Sequence, residues 1–368
     1  MRYQSGTLEE IKTKQGIVWF IRFKEGSKRP RFEVGLKSQY PTRAKASRAA
    51  QHLRDEFNGG ARQQRTFGDV IAKYELEEMP ERYSTRKGYM GMHRNHITPK
   101  WGTTPLDQMN PARVRMWLKG MDLAGKTKGN ILGQMRVLFN FAMLWEWVPF
   151  AVNPMSVFHI EGSTKRTKKP RVINPAQFRE LIKAQPLRER TMIIGGYCLG
   201  LSASELFGLQ WVDFDHIERK VKVSRGVVDG RVGPTKNQHR AAPLPLHPLT
   251  NDAFLAWRHA SEFKADEDWV FPSIEHAGAL PLNSKWIQQN VLIPSGKAVG
   301  LDFNLGWHTF RHSYKVLLER AGADITVQRD LMRHADSHTT SQIYGEVEFD
   351  RMRDANDKAV TLAFKDGQ

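Results

Sequence analysis

The run Trp307-His308-Thr309-Phe310-Arg311-His312 opens a helical pattern that continues through Leu317, Leu318 and Arg320 to Ala321-Gly322. His308 and Arg311 are three residues apart, so they share one helix face near its N-terminus. That end carries free backbone N–H groups and a positive dipole, both favourable to a phosphate. His308 and His312 also have the spacing of a zinc pair, but Thr309 stands where a zinc hydrolase places its glutamate. Farther along, Leu331-Met332-Arg333-His334 is followed by a polar stretch and Tyr344-Gly345. Upstream, Thr235-Lys236-Asn237 reads as a turn between two strands, with Lys236 in it. Each feature has an ordinary structural explanation when taken alone: a helix-packing pair, a half-buried tyrosine, a surface lysine.

The charge of the chain narrows the partners. Its 368 residues hold 56 Lys+Arg against 39 Asp+Glu, a net of +17. The excess is uneven. Residues 1–65 carry 15 basic and 6 acidic side chains, residues 66–160 carry 12 and 8, and residues 161–172 carry 5 and 1. Residues 173–368 carry 24 of each, so the whole surplus lies in the first 172 residues. Such asymmetry points to a polyanion, of which nucleic acid is the commonest. Hydrophobic residues at 40 % and aromatics at 10 % fit folded domains rather than wholesale disorder. Cys198 is the single cysteine, which excludes an intramolecular disulfide framework and a cysteine-based metal cluster. No apolar run approaches the roughly 18–20 residues of a membrane span, and MRYQSGTLEE lacks the apolar stretch of a signal peptide. The expectation is a cytoplasmic, nucleoid-associated protein without a membrane partner.

The pattern along the chain predicts a multidomain, mainly α protein with small β elements. Residues 1–60 read as a small β-sheet plus helix: IVWFIRF at 17–23 is rich in β-formers, RFEVGL at 31–36 alternates, and Pro41-Thr42 opens a helical stretch through Phe57. Three strands and a helix are too small a core for chemistry but can present a basic sheet to a DNA groove. Residues 66–160 read as a bundle of about four helices, with Thr66–Asp69 as a capping box and Asn110-Pro111 as a helix start. Met135, Leu138, Phe139, Ala142 and Met143 form its core stripe, and Phe141, Trp145, Trp147 and Phe150 read as core rather than a base-stacking platform. The basic, aperiodic segment 161–172 is a linker, and 173–350 is a mixed, mainly helical domain with a β segment near 220–246. The tail 351–368 carries apolar residues at helical spacing.

In order, these pieces resemble a known family. Gly200-Leu201-Ser202-Ala203-Ser204-Glu205-Leu206, then Lys236, His308-x-x-Arg311, His334 and Tyr344 are similar to the catalytic domain of the tyrosine recombinases, the phage-integrase family of site-specific DNA recombinases. The resemblance covers almost the whole chain. It implies that 1–60 is an arm-type DNA-binding domain, that 66–160 is a SAM-like core-binding domain, and that 351–368 docks on a neighbouring protomer.

The resemblance also implies the roles. Tyr344 attacks the scissile phosphate to give a 3′-phosphotyrosyl link, Arg311 binds the non-bridging oxygens, Lys236 protonates the leaving 5′-oxygen, His308 is general base or hydrogen-bond partner, and His334 donates to the phosphate. No cofactor or metal is implied. The implied partners are double-stranded DNA, a homotetramer formed on it, and accessory DNA-bending proteins, with the basic N-terminal parts clamping the duplex.

Ser202 departs from the family, whose Gly-Leu-Arg-x-Ser-Glu-Leu motif has its second phosphate-binding arginine there. A hydroxyl supplies no fixed cation, and losing one such donor typically costs about 10²–10³ in rate. Three explanations stay open: Arg188, Arg190 or Arg225 substitutes; the enzyme is slow and is activated by assembly on DNA; or catalysis is lost and a site-specific DNA-binding or architectural protein remains. A metal-dependent nuclease or phosphatase built on the histidines lacks a paired Asp/Glu cluster.

Overall fold

A computed structural model describes residues 4–24, 28–58, 65–148, 152–164, 169–234, 243–333 and 349–365. By its internal packing the chain divides into two units, Met1–Arg166 and Thr167–Gln368, and the division falls inside the basic stretch 161–172.

The first unit begins with a meander. Strands β1 (Thr7–Thr13) and β2 (Gly16–Arg22) pair antiparallel around a tight turn, and β3 (Arg31–Leu36) pairs with β2 across a bulge at Trp19/Phe20. The turn closes because Gly16 takes φ 117°, open to glycine, while Thr13 Oγ1 accepts from the Gln15 amide. Leu8, Trp19, Ile21 and Phe23 are buried with Ala46 and Ala50 from the helical stretch that follows. That stretch is α1 (Arg43–Ala49) and α2 (Gln51–Phe57), two helices divided by a turn at Ala50 where the sequence predicts one. Thr42 caps the first by accepting from the Lys45 amide.

A second core in this unit belongs to α3 (Phe67–Glu77), α4 (Tyr83–Met92), α5 (Pro111–Gly120) and α6 (Gly125–Leu144). The capping box at Thr66 forms with Asp69 in the place usually held by Glu, and Asn110 accepts from the Ala112 and Arg113 amides ahead of Pro111. Gly68 is required by close approach: its amide donates to the Gly102 carbonyl at 2.8 Å, and a Cβ would lie 2.6 Å from that oxygen. Helix α6 buries Met135, Leu138, Phe139 and Ala142 of the predicted stripe, leaves its fifth member, Met143, half-buried, and buries Ile131 and Leu132 besides. Phe141, Trp145 and Trp147 pack half-buried on this core, with the Arg65 guanidinium 4.0 Å over the Trp147 ring. Phe150 lies outside the described residues.

The second unit is organised around α8 (Leu187–Cys198), which is buried from Thr191 to Cys198, with α7 (Pro175–Lys183) beside it. The short helix α9 (Ala203–Leu206) follows a left-handed turn at Gly200. Strands β4 (Phe214–Asp215) and β5 (Lys220–Val221) then begin a small sheet, and β6 (Arg225–Val228) and β7 (Arg231–Pro234) form a hairpin. Asp229 and Gly230 both take positive φ at its tip, the two-residue loop that matches strand twist. Strand β8 (Leu244–Pro245) completes the sheet in the order β4-β5-β8. Helices α10 (Pro248–Ala260), α11 (Trp307–Arg320), α12 (Ile325–Leu331) and α13 (Phe349–Phe364) enclose the rest.

The described part of the tail, for which the family resemblance implies docking on a neighbouring protomer, packs here on its own unit. Helix α13 buries Met352, Ala355, Asn356, Ala359, Val360 and Ala363. Asn356 is fully buried: its Oδ1 accepts from the Tyr314 hydroxyl on α11 at 2.8 Å, and its Nδ2 donates to the Pro245 carbonyl on β8 at 3.1 Å. One amide thus ties three elements together. Asn356→Ala leaves both partners buried and unsatisfied, at about 1–3 kcal/mol each. The expected loss in urea unfolding is roughly 2–6 kcal/mol, and a loss within the error of the measurement would show that Asn356 does not hold α13 in place.

Candidate active site

Helix α8 must end sharply so that the chain can enter α9, and Gly200 makes the turn. Its φ is 59°, and a Cβ there would lie 2.4 Å from Cδ1 of Tyr314, so both conformation and space call for glycine. The freed Gly200 carbonyl accepts from Nη1 of Arg311 at 2.6 Å. The other terminal nitrogen of Arg311, Nη2, donates to the Met332 carbonyl at the C-terminal end of α12. Two backbone carbonyls from distant elements therefore fix the plane of this guanidinium, which is buried although it stands in the first turns of α11.

The Glu205 carboxylate is the centre of the arrangement. It is 3 % exposed and folds back over the start of α9. Its Oε2 accepts from the Ser202 amide and the Ser202 hydroxyl, each at 2.8 Å. The same oxygen accepts from Nη2 of Arg333 at 3.0 Å and lies 3.6 Å from Nη1 of Arg311. Burial by itself would raise the pKa of this acid; the Arg333 and Arg311 guanidinium groups and the Ser202 hydrogen bonds overcome it and hold the pKa down to about 2. Next to this cluster the phenol of Tyr314 is pushed up out of its usual range by burial, against the pull of Arg333 and Arg311.

Of the residues the sequence marks, the structure brings Ser202 and Arg311 together through Glu205. Ser202 is a helix cap whose hydroxyl is tied to Glu205, with the Ser204 hydroxyl 3.2 Å away. His308 shares the first turns of α11 with Arg311 but is exposed where Arg311 is buried. Lys236, His334 and Tyr344 lie outside the described residues. Among the described residues, no group of three His, Cys, Asp or Glu side chains is placed to hold a metal ion.

The three arginines proposed from sequence to replace the missing guanidinium are held elsewhere. Arg188 pairs with Glu189 at 2.6 Å, Arg190 donates to the Ile182 and Gln185 carbonyls, and Arg225 pairs with Asp213 at 2.7 Å. The cation that does reach the Ser202 cap is Arg333, which the sequence analysis passes over. Its only signal there is a basic residue directly before His334, and nothing local says that it turns inward.

Residues 171–351 match the phage integrase family. The chain is 25 % identical over 298 residues to the tyrosine recombinase XerC of Mycobacterium leprae, covering 75 % of this chain and 92 % of that protein. It is 23 % identical over 342 residues to the ICEBs1 integrase of Bacillus subtilis, covering 86 % and 89 %. In fold it is similar to the Tn1549 transposon integrase in complex with transposon right end DNA, with a TM-score of 0.64 at 19 % identity over 78 % of this chain and 98 % of that one. Residues 171–351 thus form a domain of the phage integrase family, that of the tyrosine recombinases. No helix among the described residues is long and apolar enough to cross a membrane.

Two expectations follow for Glu205. Removing it by Glu205→Ala leaves two buried guanidinium groups without their shared anion, and breaking a buried pair in this way costs about 3–5 kcal/mol. Because its pKa is depressed on folding, the stability it contributes is complete above about 4.5 and is lost as pH falls toward about 2. Urea titrations at several pH values should show Glu205→Gln lacking that acid-sensitive component. Parallel pH profiles for wild type and variant would contradict the assignment.

Proposed function

We propose that the chain is a site-specific DNA recombinase, an integrase that cuts and rejoins strands through a covalent 3′-phosphotyrosyl intermediate. The observation that carries this reading is the Arg311 guanidinium, fixed by the Gly200 and Met332 carbonyls and set beside His308 at the start of α11. A guanidinium held in one orientation by two carbonyls brings a fixed positive charge to the place where negative charge develops on a phosphodiester. Its likeness to the XerC recombinase, the ICEBs1 integrase and the DNA-bound Tn1549 integrase supports duplex DNA as the substrate.

In this mechanism the Tyr344 oxygen attacks the scissile phosphorus and gives up its proton with His308 as general base or hydrogen-bond partner. The bond from phosphorus to the 5′-oxygen breaks, and Lys236 delivers the proton that this oxygen needs to leave as a hydroxyl. Arg311 and His334 stabilise the charge that builds on the phosphate in between. The ester to Tyr344 conserves the energy of the broken bond, so religation to a new 5′-hydroxyl requires no ATP. Exchange between two duplexes cuts four strands, hence four copies assembled on DNA, with accessory DNA-bending proteins as further partners. The basic excess in residues 1–172 supplies the phosphate contacts that hold the duplex.

A second reading, a DNA-binding protein of the same fold without catalysis, draws on one observation: the Ser202 hydroxyl is engaged by Glu205 and brings no positive charge.

A nicked suicide substrate separates the two. The recombinase traps a protease-sensitive, EDTA-resistant protein–DNA adduct that Tyr344→Phe abolishes; absence of any adduct from the wild-type chain on its own site leaves the binding reading. Affinity for duplex DNA should also fall steeply with salt, by about 10³–10⁵ between 50 and 200 mM if six to ten phosphates are contacted. A flat salt dependence would contradict phosphate-dominated binding.

A further inference from the structure

We propose that Arg333 is a catalytic residue of this chain: its guanidinium binds the scissile phosphate in the place where Ser202 supplies no cation. The inference rests on the recombinase reading above and names which side chain completes that site.

The first argument is hydrogen-bond accounting. The Arg333 side chain is 2 % exposed, and of its three nitrogens only Nη2 has a partner, Glu205 Oε2 at 3.0 Å. Among the described residues, Nε and Nη1 are buried with none. A guanidinium carries five N–H donors in a rigid fork, and burying donors unsatisfied is costly. Compare Arg311, whose two terminal nitrogens both reach backbone carbonyls. Arg311 is anchored by backbone carbonyls, whereas Arg333 has two buried nitrogens for which the described residues provide no acceptor.

Charge gives the second argument. Glu205 Oε2 lies 3.0 Å from Arg333 Nη2 and 3.6 Å from Arg311 Nη1, so one carboxylate faces two guanidinium groups. A phosphodiester, with its single negative charge, suits such a pair as a further anion.

Position supplies the third. The Ser202 hydroxyl and Arg333 Nη2 both donate to Glu205 Oε2, at 2.8 and 3.0 Å, so the Arg333 guanidinium is a neighbour of the Ser202 cap. It arrives there from the end of α12 rather than from the start of α9. The backbone bears a cost for this: Arg333 takes φ 49°, a left-handed conformation that glycine adopts without penalty and other residues at about 1–2 kcal/mol. Glu146, Arg219, Asp229 and Ala277 share this backbone conformation, so what sets Arg333 apart is its buried guanidinium with two nitrogens that lack an acceptor among the described residues.

The test uses the full chain and the nicked suicide substrate. Arg333→Gly relaxes the left-handed turn, so the protein is expected to stay folded, while the rate of adduct formation falls by about 10²–10³. Ser202→Arg alone gives no gain, because the place is already filled. The double change Ser202→Arg with Arg333→Gly recovers most of the wild-type rate. A second readout replaces the scissile phosphate by a neutral methylphosphonate: the deficit of Arg333→Gly should shrink at least tenfold, since the charge that Arg333 balances is gone.

A wild-type adduct that forms equally fast in a folded Arg333→Gly variant would overturn the role of Arg333 and leave the recombinase reading intact. An Arg333→Gly deficit that neither methylphosphonate nor Ser202→Arg relieves would make Arg333 a structural residue. No adduct from the wild type would overturn both readings together. If Arg333→Gly unfolds, Arg333→Lys takes its place: it keeps charge and burial without the fork, and an unchanged rate would equally sink the proposal.

Discussion

A single carboxylate oxygen holds the centre of the second unit together. Glu205 Oε2 accepts from the first residue of its own helix cap and faces two guanidinium groups that arrive from α11 and from the end of α12. An isolated buried anion would be expelled or neutralised, and two buried arginines would repel each other. Each component is tolerated only because the others are present. The result is a cluster whose parts are fixed relative to one another before any ligand arrives, which is the condition for electrostatic stabilisation without reorganisation.

The neighbouring elements serve that cluster. Gly200 releases a carbonyl toward Arg311 by turning left-handed under Tyr314, and Tyr314 is held in turn by Asn356 on the last helix. The C-terminal end of α12 contributes the Met332 carbonyl, so the negative pole of that helix faces a guanidinium. The small sheet β4-β5-β8 enters through Pro245, the acceptor for Asn356. Helix α13 is thus connected to Arg311 by the Asn356–Tyr314 hydrogen bond, the packing of the Tyr314 ring on Gly200 and the Gly200–Arg311 hydrogen bond.

Charge is divided unevenly along the chain. The surplus of basic residues lies before 173. Beyond that point the counts balance, and the positive charge at the Ser202 cap is local, buried and paired in part. Exposed charges are screened within about 10 Å at ordinary salt, whereas buried ones are screened much less. In the proposed recombinase, association with DNA and chemistry on it would thus draw on two separate populations of arginine and lysine.

Much of this was open to sequence alone. Helical periodicity and capping residues act within a few residues of chain, so the Thr66 and Asn110 caps, most of the α6 stripe and the α11 boundaries could be read directly. The stretch Gly200–Leu206 apart from Ser202, then Lys236, His308, Arg311, His334 and Tyr344 in that order pointed to the family, because order along a chain is itself sequence information. Even the capping role of Ser202 toward Glu205 was a three-residue relation.

The tertiary structure alone decided which cation stands beside that cap. Arg188, Arg190 and Arg225 were reasonable candidates by type, yet each finds an acceptor in its own neighbourhood. Arg333 is 128 positions from Glu205 along the chain, and Arg311 is 111 from Gly200. No local propensity encodes such pairings. They exist because helices α8, α11 and α12 bury their apolar faces on one core, and that packing leaves two guanidinium groups with one carboxylate between them.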